Sequence, residues 1–178
     1  MADVISNETV SATSTGAHST PKQNSEKGFV ASDKLIASLQ QVLVDLIDLA
    51  LQGKQAHWNV VGTNFRDLHL QLDEVVEEAQ EHSDIMAERL RALHATADGR
   101  AATVAATTSL PAFPEGELDT HKVIALIVER IDDAVATVRE VHDSVDAEDP
   151  TTADLLHTII DEFEKLSWMV SSEIRTAK

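Results

Sequence analysis

The feature that most restricts how this chain can fold is the return of apolar side chains every three or four positions, sustained through four long stretches. Residues at that spacing share one face of an α-helix, so each stretch predicts a helix with a single buried stripe. The first starts after Ser32, an N-cap, runs through Leu35, Leu39, Val42, Leu46 and Leu49, and ends near Val61, where Gly62 stops it. The second is capped by Asn64, turns Phe65, Leu68, Leu72, Val75, Ala79, Met86, Leu90 and Leu93 inward, and stops at Gly99. Asp119 caps the third, whose inward positions are Val123, Ile127, Ile131, Ala134, Val138, Val141 and Val145. Asp149 and Pro150 open the fourth as N-cap and first helical residue, ahead of Leu155, Ile159, Phe163, Leu166, Met169 and Ile174.

Four striped helices cover one another most simply as an all-α four-helix bundle, here spanning residues 32–178. Pro111, Pro114 and Gly116 forbid one continuous helix from Gly99 to Leu118. That segment therefore reads as a long crossover between the second and third helices, with a short helical turn over Thr103 to Thr108. Residues 1–31 are rich in Ser and Thr and lack an apolar period, which predicts a flexible N-terminal tail.

Cysteine is absent, which removes disulfides, thiolate metal sites and thiol nucleophiles and leaves His and carboxylate as the strong ligands. With 14 basic against 31 acidic residues, the net charge of −17 attracts cations and repels phosphate backbones. The longest unbroken apolar run, Val123 to Val128, is far shorter than a membrane span, and the N-terminus lacks the apolar core of a signal peptide. The expectation is a cytoplasmic protein with no membrane partner.

His69 and Asp73 lie four residues apart and so share a helix face, as do Asp84 and Glu88. Asp73 and Asp84 are eleven residues apart, close to three turns, so both pairs point the same way. They are nevertheless separated by roughly 16 Å along the axis, against metal bonds of about 2 Å. One chain thus offers two half-sites. Two copies packed antiparallel about a two-fold axis would complete two equivalent sites, with the small Ala79 near the crossing. His57, across the Gly62 turn, reaches the first half-site from the neighbouring helix. Its neighbour Trp58 reads as a core aromatic or as an electron donor beside an oxidising metal. Spacing alone leaves open whether these five residues hold metal or decorate an acidic bundle.

The run His57-Trp58-Asn59-Val60, Gly62, Phe65, Leu68-His69, Asp73, followed by Asp84 and Ala87-Glu88-Arg89, closely resembles the signature of the Dps family, the mini-ferritins. The resemblance extends through the last helix and implies a ferritin-like bundle assembled into a dodecameric shell. It implies two-iron ferroxidase sites between subunits, with His57, His69 and Asp73 from one chain and Asp84 and Glu88 from another as ligands. It further implies oxidation of Fe(II), by hydrogen peroxide in preference to dioxygen, storage of ferric mineral, and protection against oxidative damage. Trp58 is implied as an auxiliary electron source, and Asp146, Glu148, Asp149 and Asp154 as acids lining pores that admit Fe(II).

Three rival functions stand beside this one. Direct DNA compaction through the tails, with association to the nucleoid, is disfavoured because Lys22 and Lys27 face Asp3, Glu8 and Glu26 in the tail and only Arg175 and Lys178 close the chain. The site of the larger ferritins needs Glu-x-x-His pairs, and none occurs here. Metal-assisted hydrolysis ranks last, since no substrate pocket is indicated.

Overall fold

The computed structural model describes residues 28–177. Its elements are α1 (Asp33–Asn59), β1 (Val60–Val61), α2 (Phe65–Ala92), α3 (Ala101–Thr107), β2 (Leu118–Asp119), α4 (Thr120–Asp146) and α5 (Pro150–Ser172). The four long helices form the expected all-α bundle, and α3 is the short helix within the crossover. Of the tail expected over residues 1–31, only 28–31 fall inside the described part.

Local chemistry fixes the helix starts. Ser32 Oγ accepts the Leu35 N–H at 3.1 Å, and Asp119 Oδ1 accepts the Lys122 N–H at 3.1 Å, each satisfying a donor that the first turn leaves unpaired. The stripes then meet: Leu39, Leu49, Leu72, Val75, Met86, Leu90, Val123, Ile127, Ile131, Leu156 and Phe163 are all buried in one core. Helix α1 packs along α2, α4 along α5, and α1 against α4 joins the two pairs.

Strands β1 and β2 pair in parallel, Val60 with Leu118 and Val61 with Asp119. Because β1 leads towards α2 and β2 leads into α4, both helices start from the same end of the bundle and run parallel. The crossover therefore has to carry the chain back along the whole bundle. Buried charge holds it in place. Asp45 accepts from Ser109 N at 2.8 Å and Ser109 Oγ at 2.6 Å, and Arg130 donates to the carbonyls of Pro111 and Ala112, both at 3.1 Å.

Several local expectations are corrected. Helix α2 stops at Ala92, not Gly99, in a Schellman turn: Ala95 N–H donates to Leu90 O at 2.9 Å and His94 N–H to Arg91 O at 3.0 Å. The left-handed position in that turn is His94, with φ 65°, where glycine is the usual choice. Asn64 occupies the N-cap of α2 in a left-handed conformation, but its side chain makes no capping bond. Phe65 and Ile174, expected inward, are exposed. Helix α1 is long and apolar enough by composition to cross a membrane, yet Leu39, Leu46 and Leu49 place its stripe in the bundle core.

Candidate metal centre

His57 lies in the last turn of α1 and His69 in the second turn of α2. The tight connection between them turns at Gly62, whose φ of 120° is open to glycine and strained for other residues. The two imidazoles stack with centroids 3.6 Å apart and planes 25° off parallel. His57 Nδ1 lies 2.9 Å from His69 O, and His69 Nδ1 lies 3.0 Å from His57 O. A carbonyl oxygen can only accept, so each Nδ1 carries the proton. In the neutral rings that leaves both Nε2 lone pairs for a metal, the tautomer that ligation requires.

Asp73 joins this pair. Its Oδ1 is 3.2 Å from His57 Nδ1 and forms an ion pair with Lys54 Nζ. The Lys54 bond holds the Asp73 carboxyl below its ordinary range, against a smaller upward push from burial. The structure thus brings His57, His69 and Asp73 together. It also adds Lys54, which the sequence reading missed. The available signal was its position three residues before His57, on the same face of α1.

Asp84 and Glu88 are exposed on α2, Asp84 lying eleven residues beyond Asp73, and do not join His69 and Asp73 in one chain. Two expectations at this site are corrected. Ala79 is 0% exposed and part of the core of its own chain, so it cannot serve as a contact between copies. Trp58 is 70% exposed, so it is not a core aromatic. Leu51 and Trp58 on α1 and Phe65 and Leu70 on α2 are exposed, an apolar rim on the two helices that carry the half-site, with the Phe65 ring 5.1 Å from that of His69.

The four acids around the start of α5 divide into two kinds. Asp146 and Asp154 are exposed. Glu148 accepts from Ser32 N and Ser32 Oγ, both at 2.6 Å, and so closes the start of α1. Asp149 is buried and accepts from Arg89 Nη2 at 2.5 Å and from Thr152 Oγ1. Burial pushes the Asp149 carboxyl up, but the bonds from Thr152 and Arg89 and the Arg89 charge outweigh it and hold it below its ordinary range. Arg89, adjacent to Glu88, thereby ties α2 to the start of α5.

The ferritin-like domain family matches residues 36–178. The DNA protection during starvation protein of Agrobacterium fabrum is 34% identical over 146 residues, covering 82% of this chain and 90% of its own. DNA protection during starvation protein 2 of Deinococcus radiodurans is 37% identical over 137 residues, covering 77% of this chain and 57% of its own length. The solved structure of Dps from Microbacterium arborescens in its high iron form superposes with a TM-score of 0.73 at 34% identity, covering 83% of this chain and 99% of that one. A ferritin-like match over most of the chain, with relatives of this kind on both sequence and structure, places the chain in the Dps family of ferritin-like proteins.

Proposed function

We propose that this protein oxidises Fe(II) at sites shared between two copies of the chain and stores the ferric product inside a dodecameric shell. His57, His69 and Asp73 of one copy and Asp84 and Glu88 of a second copy are the ligands, together holding two irons as substrate. The observation that carries this reading is the reciprocal bonding of His57 and His69, which reserves both Nε2 atoms for ligation. One chain alone leaves the second carboxylate pair roughly 16 Å away along α2, and the apolar rim of Leu51, Trp58, Phe65 and Leu70 is the kind of surface a second copy covers.

Imidazole and carboxylate suit both oxidation states of iron, and carboxylates offset the charge gained on oxidation. Hydrogen peroxide is the preferred oxidant over dioxygen: two Fe(II) each give one electron, and the O–O bond breaks to two hydroxides without releasing a radical. Trp58 serves as an auxiliary electron source beside His57. Iron reaches the interior past the exposed Asp146 and Asp154, while Glu148 and Asp149 shape the start of α5 behind them. Stored iron protects the cell, in the cytoplasm, from peroxide damage. Direct DNA compaction stands second, since a net charge of −17 opposes it.

Complementation between two inactive variants tests the shared site. His69→Ala/Asp73→Ala chains and Asp84→Ala/Glu88→Ala chains are each expected to form shells that oxidise Fe(II) on the order of 100-fold more slowly or worse. Shells reassembled from an equal mixture should recover about a quarter of the wild-type sites, because half the two-fold pairs are mixed and each mixed pair has one intact site. Mixed shells without recovered peroxide-dependent oxidation would sink the proposal.

A further inference from the structure

Between the two half-sites, α2 carries a second set of donors on the side that faces α5. Glu78 and His82 are one turn apart on α2, and Glu162 comes from α5 opposite them. His82 Nε2 bonds to Glu162 Oε2 and lies 3.9 Å from Glu78 Oε2. One donor atom from each residue lies within 4.8 Å of the other two. We propose that Glu78, His82 and Glu162 form a metal site complete within one chain, which takes a divalent first-row transition ion.

Burial gives this cluster an inner and an outer side. His82 is 4% exposed, and its ring lies 5.8 Å from that of Phe163, so the imidazole is set by core packing before any ion arrives. The side chains of Glu78 and Glu162 are each 40% exposed, which leaves a path for an ion and room for water to complete its shell. Bonds of about 2 Å to a shared ion place donors roughly 3 Å apart, a separation these flexible glutamates reach by small rotations.

Charge favours the same occupant. With His82 neutral, the two carboxylates match a divalent ion. One imidazole with two carboxylates suits Fe(II), Mn(II), Co(II) or Zn(II) and not the soft Cu(I). The competing role is an imidazolium that simply ties α2 to α5. In that role Glu78, at 3.9 Å, is a bystander.

The test uses the assembled, metal-stripped protein carrying His69→Ala/Asp73→Ala, so that Co(II) cannot use the shared site. Titration followed by Co(II) absorption and calorimetry should find about one ion per chain. Adding Glu162→Gln, Glu78→Gln or His82→Asn should weaken that binding roughly 10- to 100-fold. No Co(II) bound in the parent variant, or binding unchanged by Glu78→Gln and Glu162→Gln, overturns the site. Those two glutamine variants decide the matter if His82→Asn fails to fold. Anomalous scattering from a Co(II)-soaked crystal should place a peak among the three side chains, and a peak elsewhere alone overturns the assignment.

Discussion

His57 and His69 hold each other by exchange, each ring donating Nδ1–H to the other's backbone carbonyl at 2.9 and 3.0 Å. The end of α1 and the start of α2 are therefore locked by the same two residues that we propose as metal ligands. Ring orientation is set by the fold and needs no metal to establish it.

In the proposed site Lys54 competes with metal for Asp73. Because the two side chains are 35% and 33% exposed, solvent limits the pair to about 0.5–1 kcal/mol. Lys54→Met should tighten Co(II) binding at the half-site near neutral pH by roughly two- to fivefold. Without the lysine the Asp73 carboxyl regains a higher pKa, so binding should be lost at a higher pH on acidification. Calorimetry across a pH series reads both effects. Weaker binding at neutral pH would mean that Lys54 positions Asp73 and does not compete for it.

The Arg89–Asp149 pair makes stability depend on pH. The folded-state pKa of Asp149 lies below its unfolded value, so its contribution is full above the ordinary carboxylate range and is lost as pH falls through the depressed folded value. Arg89→Met strands a carboxylate that is 8% exposed and should cost about 3 kcal/mol at neutral pH. A neutral carboxyl is cheaper to bury, so the gap between wild type and variant should narrow below about pH 4. Thermal melts from neutral to acid pH measure this, and a constant gap would contradict it.

Gly53 on α1 is packed directly against Val76 of α2. A Cβ there would meet Val76 Cγ2 at 2.7 Å. Gly53→Ala should destabilise the protein by about 1–3 kcal/mol, despite the better helix propensity of alanine. It should also displace Lys54, the next residue. A melting temperature equal to or above wild type would show that Val76 yields without cost.

Trp58 reports whether the apolar rim is covered. In a Trp168→Phe background, emission from Trp58 should shift to shorter wavelength in assembled shells relative to dissociated chains, since the ring is 70% exposed in the single chain. Light scattering fixes the assembly state of each sample. Identical spectra in both states would place Trp58 outside the contact.

Sequence patterns found the parts of the fold that depend on neighbours in the chain. Ser32 and Asp119 cap their helices because one side chain bonds to an N–H three residues on. The same logic missed the end of α2, where His94 takes the left-handed position and Gly99 lies past the stop. Spacing put the His69–Asp73 and Asp84–Glu88 pairs on one helix, and α2 runs unbroken through both. It could not tell that Ala79 faces its own core, because a small residue suits either a bundle interior or a contact between copies. Lys54 with Asp73, and Arg89 with Asp149, escaped because each pair joins residues from two different helices. His82 with Glu162 spans 80 positions and is invisible to any periodic pattern.

The pinned crossover bears on the order of folding. The α1–α2 hairpin closes over a short turn, as does the α4–α5 hairpin, so both can form from local contacts. Ser109 reaches Asp45 across 64 positions, and Arg130 reaches Gln52 across 78, so these bonds repay their loop-closure entropy only once both hairpins stand together. Until then Asp45 keeps only Gln41, and Arg130 only Glu129, of the partners that make their burial tolerable. The strap therefore works as a latch that engages last, and a chain that has not closed it still carries two charges that keep its halves from settling together.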